Sequence, residues 1–242
     1  MAIFLDTGDV DEIERFLRMG LVRGVTTNPT ILLRDGVHGG LPAIAERARA
    51  IAKLIAPWPL SVEVTTAEPA MIRDQARTIA SWADNMVVKV TVHGPEGELA
   101  PLEVVHELET RHGIRVNVTA MMSAQQAFLA AMAGASYVSI FGGRVNNMGY
   151  NACGEITKLR ALLDRFGLRG QIIVGSTREV LNVVEWLEAG AHIVTVVPEL
   201  LRGMLVHPYS KETVRQFLRD AAESEGRRPE DRPVRPEDRP AR

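Results

Sequence analysis

The sequence predicts an α/β fold: a single closed (β/α)₈ TIM barrel with an extra C-terminal helix and a disordered tail. Three observations carry that expectation. Short apolar strands alternate with amphipathic helices along the chain, the pattern of parallel pairing. Eight such repeats fit in the length, which is the size a closed barrel takes. No Gly-x-Gly-x-x-Gly run follows the first strand, which counts against a doubly wound open sheet.

Residues 3–6 read as the first strand, ending in the carboxylate of Asp6. Asp9 fits the N-cap of a helix over 10–19, which Gly20 closes. The second strand is 24–28, stopped by Pro29. A Gly-rich loop, 35–40, leads to a helix over 42–55. The third strand is 60–65, followed by a helix over 68–82, and the fourth strand is 86–92. Pro101 suits the first turn of a helix reaching 112, with Gly113 behind it. The fifth strand is 115–119. Ser123 caps a helix to 133, which Gly134 ends. The sixth strand is 137–141, the next helix 153–166, the seventh strand 171–175, the helix after it 177–189, and the eighth strand 192–197. Helices over 198–206 and 211–223 complete one catalytic domain, 1–223. In the remainder, 224–242, the run Arg-Pro-Glu-Asp-Arg-Pro at 228–233 recurs at 235–240. That stretch is charged, proline-rich and free of aromatics, so disorder is expected.

The fourth strand holds an anomaly. Lys89 stands among Met86, Val87, Val88, Val90 and Val92. Burying an unpaired ammonium costs several kcal/mol, so such a lysine either snorkels to water or leans toward the neutral amine. A neutral amine is a nucleophile for carbonyl carbon, which makes a Schiff base at Lys89 the functional expectation. The other strands share its pattern. In a barrel both strand faces are covered and side chains alternate between helices and lumen. Asp6, Thr26 with Asn28, Glu63, Lys89, Asn117 with Thr119, and Ser139 all fall on one parity, against apolar neighbours on the other. Each has a bland alternative: Asp6 as a helix cap, Asn28 as turn chemistry, Glu63 half in solvent. Together, on six successive strands, they read as one catalytic centre. Arg144 after the sixth strand, and Ser176 with Arg178 after the seventh, point to an anionic group on the substrate. A helix starting near 175–178 would add free backbone amides to that site.

Composition excludes several classes. The 242 residues are 46% hydrophobic and 24% charged, with a net charge of −2. No basic surplus argues for nucleic acid. The single cysteine, Cys153, rules out an intrachain disulfide, and the six histidines show no i, i+4 spacing, so neither a metal nor another cofactor is expected. No apolar run approaches the roughly 20 residues of a membrane span, and no signal-like start is present. A cytoplasmic location is expected. Asn117-Val118-Thr119 matches a glycosylation sequon but lies in an expected strand.

Leu5-Asp6-Thr7, Gly24-Val25-Thr26-Thr27-Asn28-Pro29-Thr30, Val87-Val88-Lys89-Val90, Val116-Asn117-Val118-Thr119 and Gly143-Arg144 resemble the transaldolase family, in its short, microbial, fructose-6-phosphate-aldolase-like branch. The resemblance covers residues 1 to about 220. It implies a class I (Schiff-base) mechanism without metal, with Lys89 capturing the ketose carbonyl and Asp6 as acid/base at the cleaved bond. It implies that Asn28, Asn117 and Ser139 hold the dihydroxyacetone hydroxyls and that Arg144, Ser176 and Arg178 bind a distal phosphate. Transaldolases carry a glutamate and a threonine where the aldolases carry a glutamine and an alanine. Glu63 and Thr119, with Phe141 where the aldolases have tyrosine, align this chain with the transaldolases. The expected reaction is transfer of dihydroxyacetone from a ketose phosphate to an aldose. An aldolase releasing free dihydroxyacetone, a transaldolase of sulfonated ketoses, and a silent barrel acting as sensor or scaffold stand as alternatives. A departure at Thr91 leaves the lysine untouched, while departures at Ile140 and Gly142 and over 146–151, beside the anion site, leave the distal group open. The resemblance further implies a homo-oligomer built on pentamers, a pentamer or decamer, with the last helix packed on a neighbour.

Overall fold

The structure, a computed structural model, describes residues 2–225 of the 242. Eight parallel strands close into a barrel in sequence order: β1 (Ile3–Asp6), β2 (Val25–Thr26), β3 (Leu60–Glu63), β4 (Met86–Thr91), β5 (Val116–Met121), β6 (Tyr137–Ile140), β7 (Gln171–Val174) and β8 (Ile193–Val196), with β8 pairing back to β1. The strands are largely buried because one face packs under helices and the other faces the lumen.

Eleven helices are found among the described residues: α1 (Val10–Arg18), α2 (Pro29–Arg34), α3 (Gly40–Ile55), α4 (Pro69–Ala80), α5 (Ala100–Arg111), α6 (Ala124–Met132), α7 (Gly142–Asn147), α8 (Ala152–Phe166), α9 (Val180–Glu188), α10 (Pro198–Leu205) and α11 (Pro208–Ser224). The expected caps hold where the sequence named them. Asp9 accepts from the amides of Asp11 and Glu12, and Ser123 from that of Gln126. Two short helices, α2 and α7, were not expected. Pro29 stops the second strand, as read, but it also opens α2, with Asn28 as N-cap accepting from the Ile31 amide. The second strand is therefore only two residues long.

The largest correction concerns α9. It begins at Val180, not Thr177, and an acidic residue, Glu179, occupies its N-cap. Ser176 adopts a left-handed conformation (φ 59°), and the Thr177 hydroxyl donates to the Thr195 carbonyl at 2.8 Å. Both hold 175–179 as a loop, so the helix expected to open at 177 starts three residues later.

The chain divides into two units, Met1–Leu201 and Arg202–Arg242. In the second, α11 buries none of its residues, and Tyr209, Val214, Phe217 and Leu218 are all exposed. Of the tail expected at 224–242, residues 226–242 lie outside the described residues.

The floor of the lumen is apolar. Phe4, Val87, Tyr137, Ile173 and Ile193 form one buried cluster from five strands. Gly24 lets this floor close: a Cβ there would sit 2.5 Å from the Phe4 ring. Gly24→Ala therefore has to displace Phe4, and an expected loss of about 1–3 kcal/mol in urea unfolding follows from overpacking. Unchanged stability would show that the floor has slack.

Candidate active site

Directly above that floor stands Lys89. It is 5% exposed. Strand register places it between Glu63 on β3 and Asn117 on β5, so all three project to the same face of the sheet. Its Nζ donates to the Thr27 carbonyl at 2.8 Å and lies 3.2 Å from Glu63 Oε2. The amine is thus buried and paired, with one of the lumen carboxylates that the sequence puts on its parity. Glu63 keeps 17% of its side chain exposed, so it connects the amine to the mouth of the barrel.

On the other side of the lumen lies Asp6, half-buried. Its Oδ1 accepts from the Thr26 hydroxyl at 2.6 Å. Burial pushes its carboxyl up from the ordinary carboxylate range, against the opposing pulls of Lys89, Thr26 and Arg34. A carboxyl so raised sits closer to the working range of an acid/base than a solvated one. Two carboxylates therefore flank one amine in different environments: Glu63 is paired with it directly, and Asp6 is desolvated opposite.

Asn117 is fully buried. Its Nδ2 donates to Ser61 Oγ at 3.2 Å, and its Oδ1 accepts from Ser139 Oγ at 2.7 Å. This fixes the amide and brings β3, β5 and β6 into one polar shelf beside Lys89. Thr119 Oγ1 is buried with no protein partner among the described residues. Such a group carries a desolvation cost unless something hydrogen-bonds to it, so it is ready to bond what enters the lumen. Just beyond it, Ala120 is left-handed (φ 62°) and the β5–β6 register shifts between Val118 and Met121. A bulge at this position re-aims the end of a strand next to a site.

The first turn of α7, after β6, and the loop after β7 meet at Gly143. A Cβ on Gly143 would lie 1.8 Å from the Ser176 carbonyl oxygen and 2.8 Å from Arg178 Cγ, so only glycine permits this contact. Gly142 similarly clears Val174 and Trp186. The approach brings the segments of Arg144 and Arg178 together. Both arginines are exposed. Arg144 lies over the Phe141 ring at 4.7 Å, and neither arginine is ion-paired to a carboxylate among the described residues. Two unpaired guanidinium groups, one on α7 and one on the adjoining loop after β7, suit an anion.

The comparisons with known proteins bear on this geometry. Residues 3–230 match the family described as Transaldolase/Fructose-6-phosphate aldolase. This chain belongs to that family. A protein of Dehalococcoides mccartyi named "Probable transaldolase" is 36% identical over 220 residues, 91% of this chain and 97% of that one. "Probable transaldolase 2" of Listeria monocytogenes is 39% identical over 220 residues, 91% of this chain and 95% of that one. Among solved structures, the thiamine phosphate pyrophosphorylase of Pyrococcus furiosus has a TM-score of 0.56 at 14% identity, covering 81% of this chain and 85% of that one. A mandelate oxidase has a TM-score of 0.52 at 14% identity, covering 81% and 65%. At that identity the two structures share the barrel alone.

In this transaldolase/fructose-6-phosphate aldolase barrel, the residues expected from sequence fall into two groups. Asp6, Thr26, Glu63, Lys89, Asn117 and Ser139 belong to the lumen network, and Thr119 follows Asn117 on the same parity of β5. Phe141 and Arg144, at the N-cap of α7 and within it, and Ser176 and Arg178, on the loop after β7, are brought together at Gly143. Asn28 stands apart: its Oδ1 serves as a helix cap, so what it has to offer a substrate is chiefly its Nδ2 donor. Sequence reading missed Ser61 and Thr195, buried at 1% and 5%. The parity rule that found Glu63 also selects Ser61, two residues earlier, and it selects Thr195 between Val194 and Val196. Among the described residues no cluster of three or more His, Cys, Asp or Glu side chains suits a metal, and no helix is long and apolar enough to cross a membrane.

Proposed function

We propose that the chain is a transaldolase acting through a lysine Schiff base. It moves a dihydroxyacetone unit from a ketose phosphate of the fructose 6-phosphate type to an aldose. The observation that carries this reading is Lys89, buried above an apolar floor with its Nζ 3.2 Å from Glu63. The two relatives named as transaldolases support the choice of reaction.

The steps balance on residues already described. Glu63 takes a proton from Lys89, freeing the nitrogen lone pair to attack the ketose C2 carbonyl. The carbinolamine hydroxyl leaves as water, protonated by Glu63 with the Thr119 hydroxyl holding the departing water. The resulting iminium is an electron sink. Asp6 takes the proton of the C4 hydroxyl, the C3–C4 bond breaks, and its electron pair moves to the iminium nitrogen. An aldehyde leaves and an enamine stays on Lys89. The enamine attacks the acceptor aldehyde, Asp6 returns the proton to the new hydroxyl, and water releases the product ketose. Asn117 and Ser139, with Asn28 and Thr26, hold the hydroxyls of the three-carbon unit. Arg144, Ser176 and Arg178 take the distal phosphate or sulfonate, with Phe141 supporting Arg144.

The test is chemical. With a ketose donor and borohydride, a stable mass increase should appear on the Lys89 peptide, and donor cleavage should depend on an added acceptor such as erythrose 4-phosphate. The absence of any adduct across phosphate, sulfonate and neutral donors would sink the enzymatic reading. Glu63→Gln should slow imine formation, cutting transfer by about 10-fold or more, and should shift the turnover that remains toward cleavage to free dihydroxyacetone, because the aldolase branch carries glutamine at this position. Equal rates of both reactions in variant and parent would remove Glu63 from the relay. The same reading extends to assembly: the exposed apolar face of α11 packs on another copy in a pentamer-based ring. A monomer mass by light scattering at micromolar concentration would refute that part alone.

A further inference from the structure

The structure also assigns a role to a residue on the opposite side of the lumen from the lysine. We propose that Thr195 is a positioning residue for Asp6: its hydroxyl donates to Thr26, which commits the Thr26 hydrogen to Asp6 Oδ1 and leaves Oδ2 as the oxygen that exchanges a proton with substrate. The proposal rests on the reading of Asp6 as the acid/base.

Thr26 Oγ1 lies 2.6 Å from Asp6 Oδ1 and 2.6 Å from Thr195 Oγ1. A hydroxyl has one hydrogen to give, and an ionised carboxylate has none. If Thr26 gave its hydrogen to Thr195, its lone pairs would face those of Asp6 at 2.6 Å. The only satisfied arrangement with Asp6 ionised runs from Thr195 to Thr26 to Asp6. Both threonines are buried, at 5% and 3% exposure, so bulk water does not compete for these bonds. A donor that itself accepts a hydrogen bond is polarised and donates more strongly.

Thr195 is held by three separate features. Its carbonyl accepts from the Thr177 hydroxyl at 2.8 Å. Its backbone is in register with Phe4 of β1. Its methyl group abuts Gly175, where a Cβ would lie 3.1 Å from Thr195 Cγ2. With the methyl lodged there, the hydroxyl faces Thr26. The charged groups acting on Asp6 are Lys89 from β4, Arg34 from α2 and Asp35 beyond it. The Thr26 hydrogen bond draws the Asp6 carboxyl down against its burial. Weakening that bond lets the carboxyl rise further.

Thr195→Val keeps the shape and removes the hydroxyl. We expect kcat to fall about tenfold, KM to change less than about twofold, and the Asp6 limb of the kcat/KM profile to move to higher pH. Thr195→Ser should restore both. Asp6→Asn, measured in the same set, should lose turnover and that limb. Borohydride trapping on Lys89 in every variant reports that the site is assembled. A Thr195→Val profile identical to the parent's, or equal impairment of the Val and Ser variants, overturns the positioning role while leaving Asp6 in place. An Asp6→Asn variant that keeps turnover overturns the acid/base reading itself.

Discussion

Lys89→Met should leave a folded barrel with no measurable adduct and turnover lower by on the order of 10⁵–10⁶-fold, the scale on which removing a covalent nucleophile acts. Methionine keeps the length and the apolar stem, so the position stays filled in its buried surroundings. What disappears is the nitrogen that donates to the Thr27 carbonyl and pairs with Glu63. Two groups are left without their partner, and the expected stability cost is about 1–3 kcal/mol. It stays short of the full cost of breaking a buried ion pair because Glu63 retains 17% exposure and reaches water. The double variant Lys89→Met/Glu63→Gln separates the two effects. It should recover most of the stability and none of the turnover, a non-additive result of the kind that paired side chains give. Denaturant unfolding, donor cleavage and borohydride trapping on the same samples check all three statements. Residual turnover within about 100-fold of the parent would mean that another group carries the chemistry.

How legible this site is in the sequence depends on the element. The lumen residues were legible because a buried strand tolerates few polar side chains, so Lys89, Glu63 and Asn117 stand out among valines, and period two says which way they point. Ser61 and Thr195 obey the same parity. They pass unnoticed because serine and threonine are unremarkable in strands, and nothing local distinguishes a hydroxyl that holds a catalytic group from one that does not. The two short helices, α2 and α7, are six residues each. That is too little for a helical period to show, and their openings, Pro29 and Gly142-Gly143, read as breakers. The start of α9 was misplaced for a different reason. Thr177 and Arg178 look like the first turn of a helix, and what prevents it is a tertiary bond to Thr195 eighteen residues away. The partner of Lys89 lay beyond local reading too. That Glu63 is in register with it follows only from the pairing of β3 with β4.

Asp6→Asn should move stability and activity in opposite directions. In the fold, burial raises the Asp6 carboxyl above its ordinary value of 3.8. The folded chain therefore holds this proton more tightly than the unfolded chain does. By linkage, the associated stability is fully present below pH 3.8 and is lost as pH rises through the raised, folded-state value. At neutral pH the ionised group bears its whole desolvation cost. Asparagine keeps an oxygen for the Thr26 hydroxyl and carries no charge, so the variant should unfold at a higher temperature than the parent at pH 7. That gap should narrow as the pH is lowered toward 3.8. Lys89 and Arg34 pull the other way on the carboxylate, and they set how large the gap is without reversing its sign. Turnover should fall by about 10²–10⁴-fold, the contribution of a positioned acid/base, while the Lys89 adduct still forms, since imine formation runs through Glu63. Melting temperatures across pH 4–8 and rates at pH 7 are the measurements. A variant less stable than the parent at pH 7 would show that the carboxylate is stabilised by its surroundings. The strain that makes Asp6 a useful acid/base would then be absent. A more stable and inactive variant is the expected mark of a group kept for chemistry at the expense of the fold.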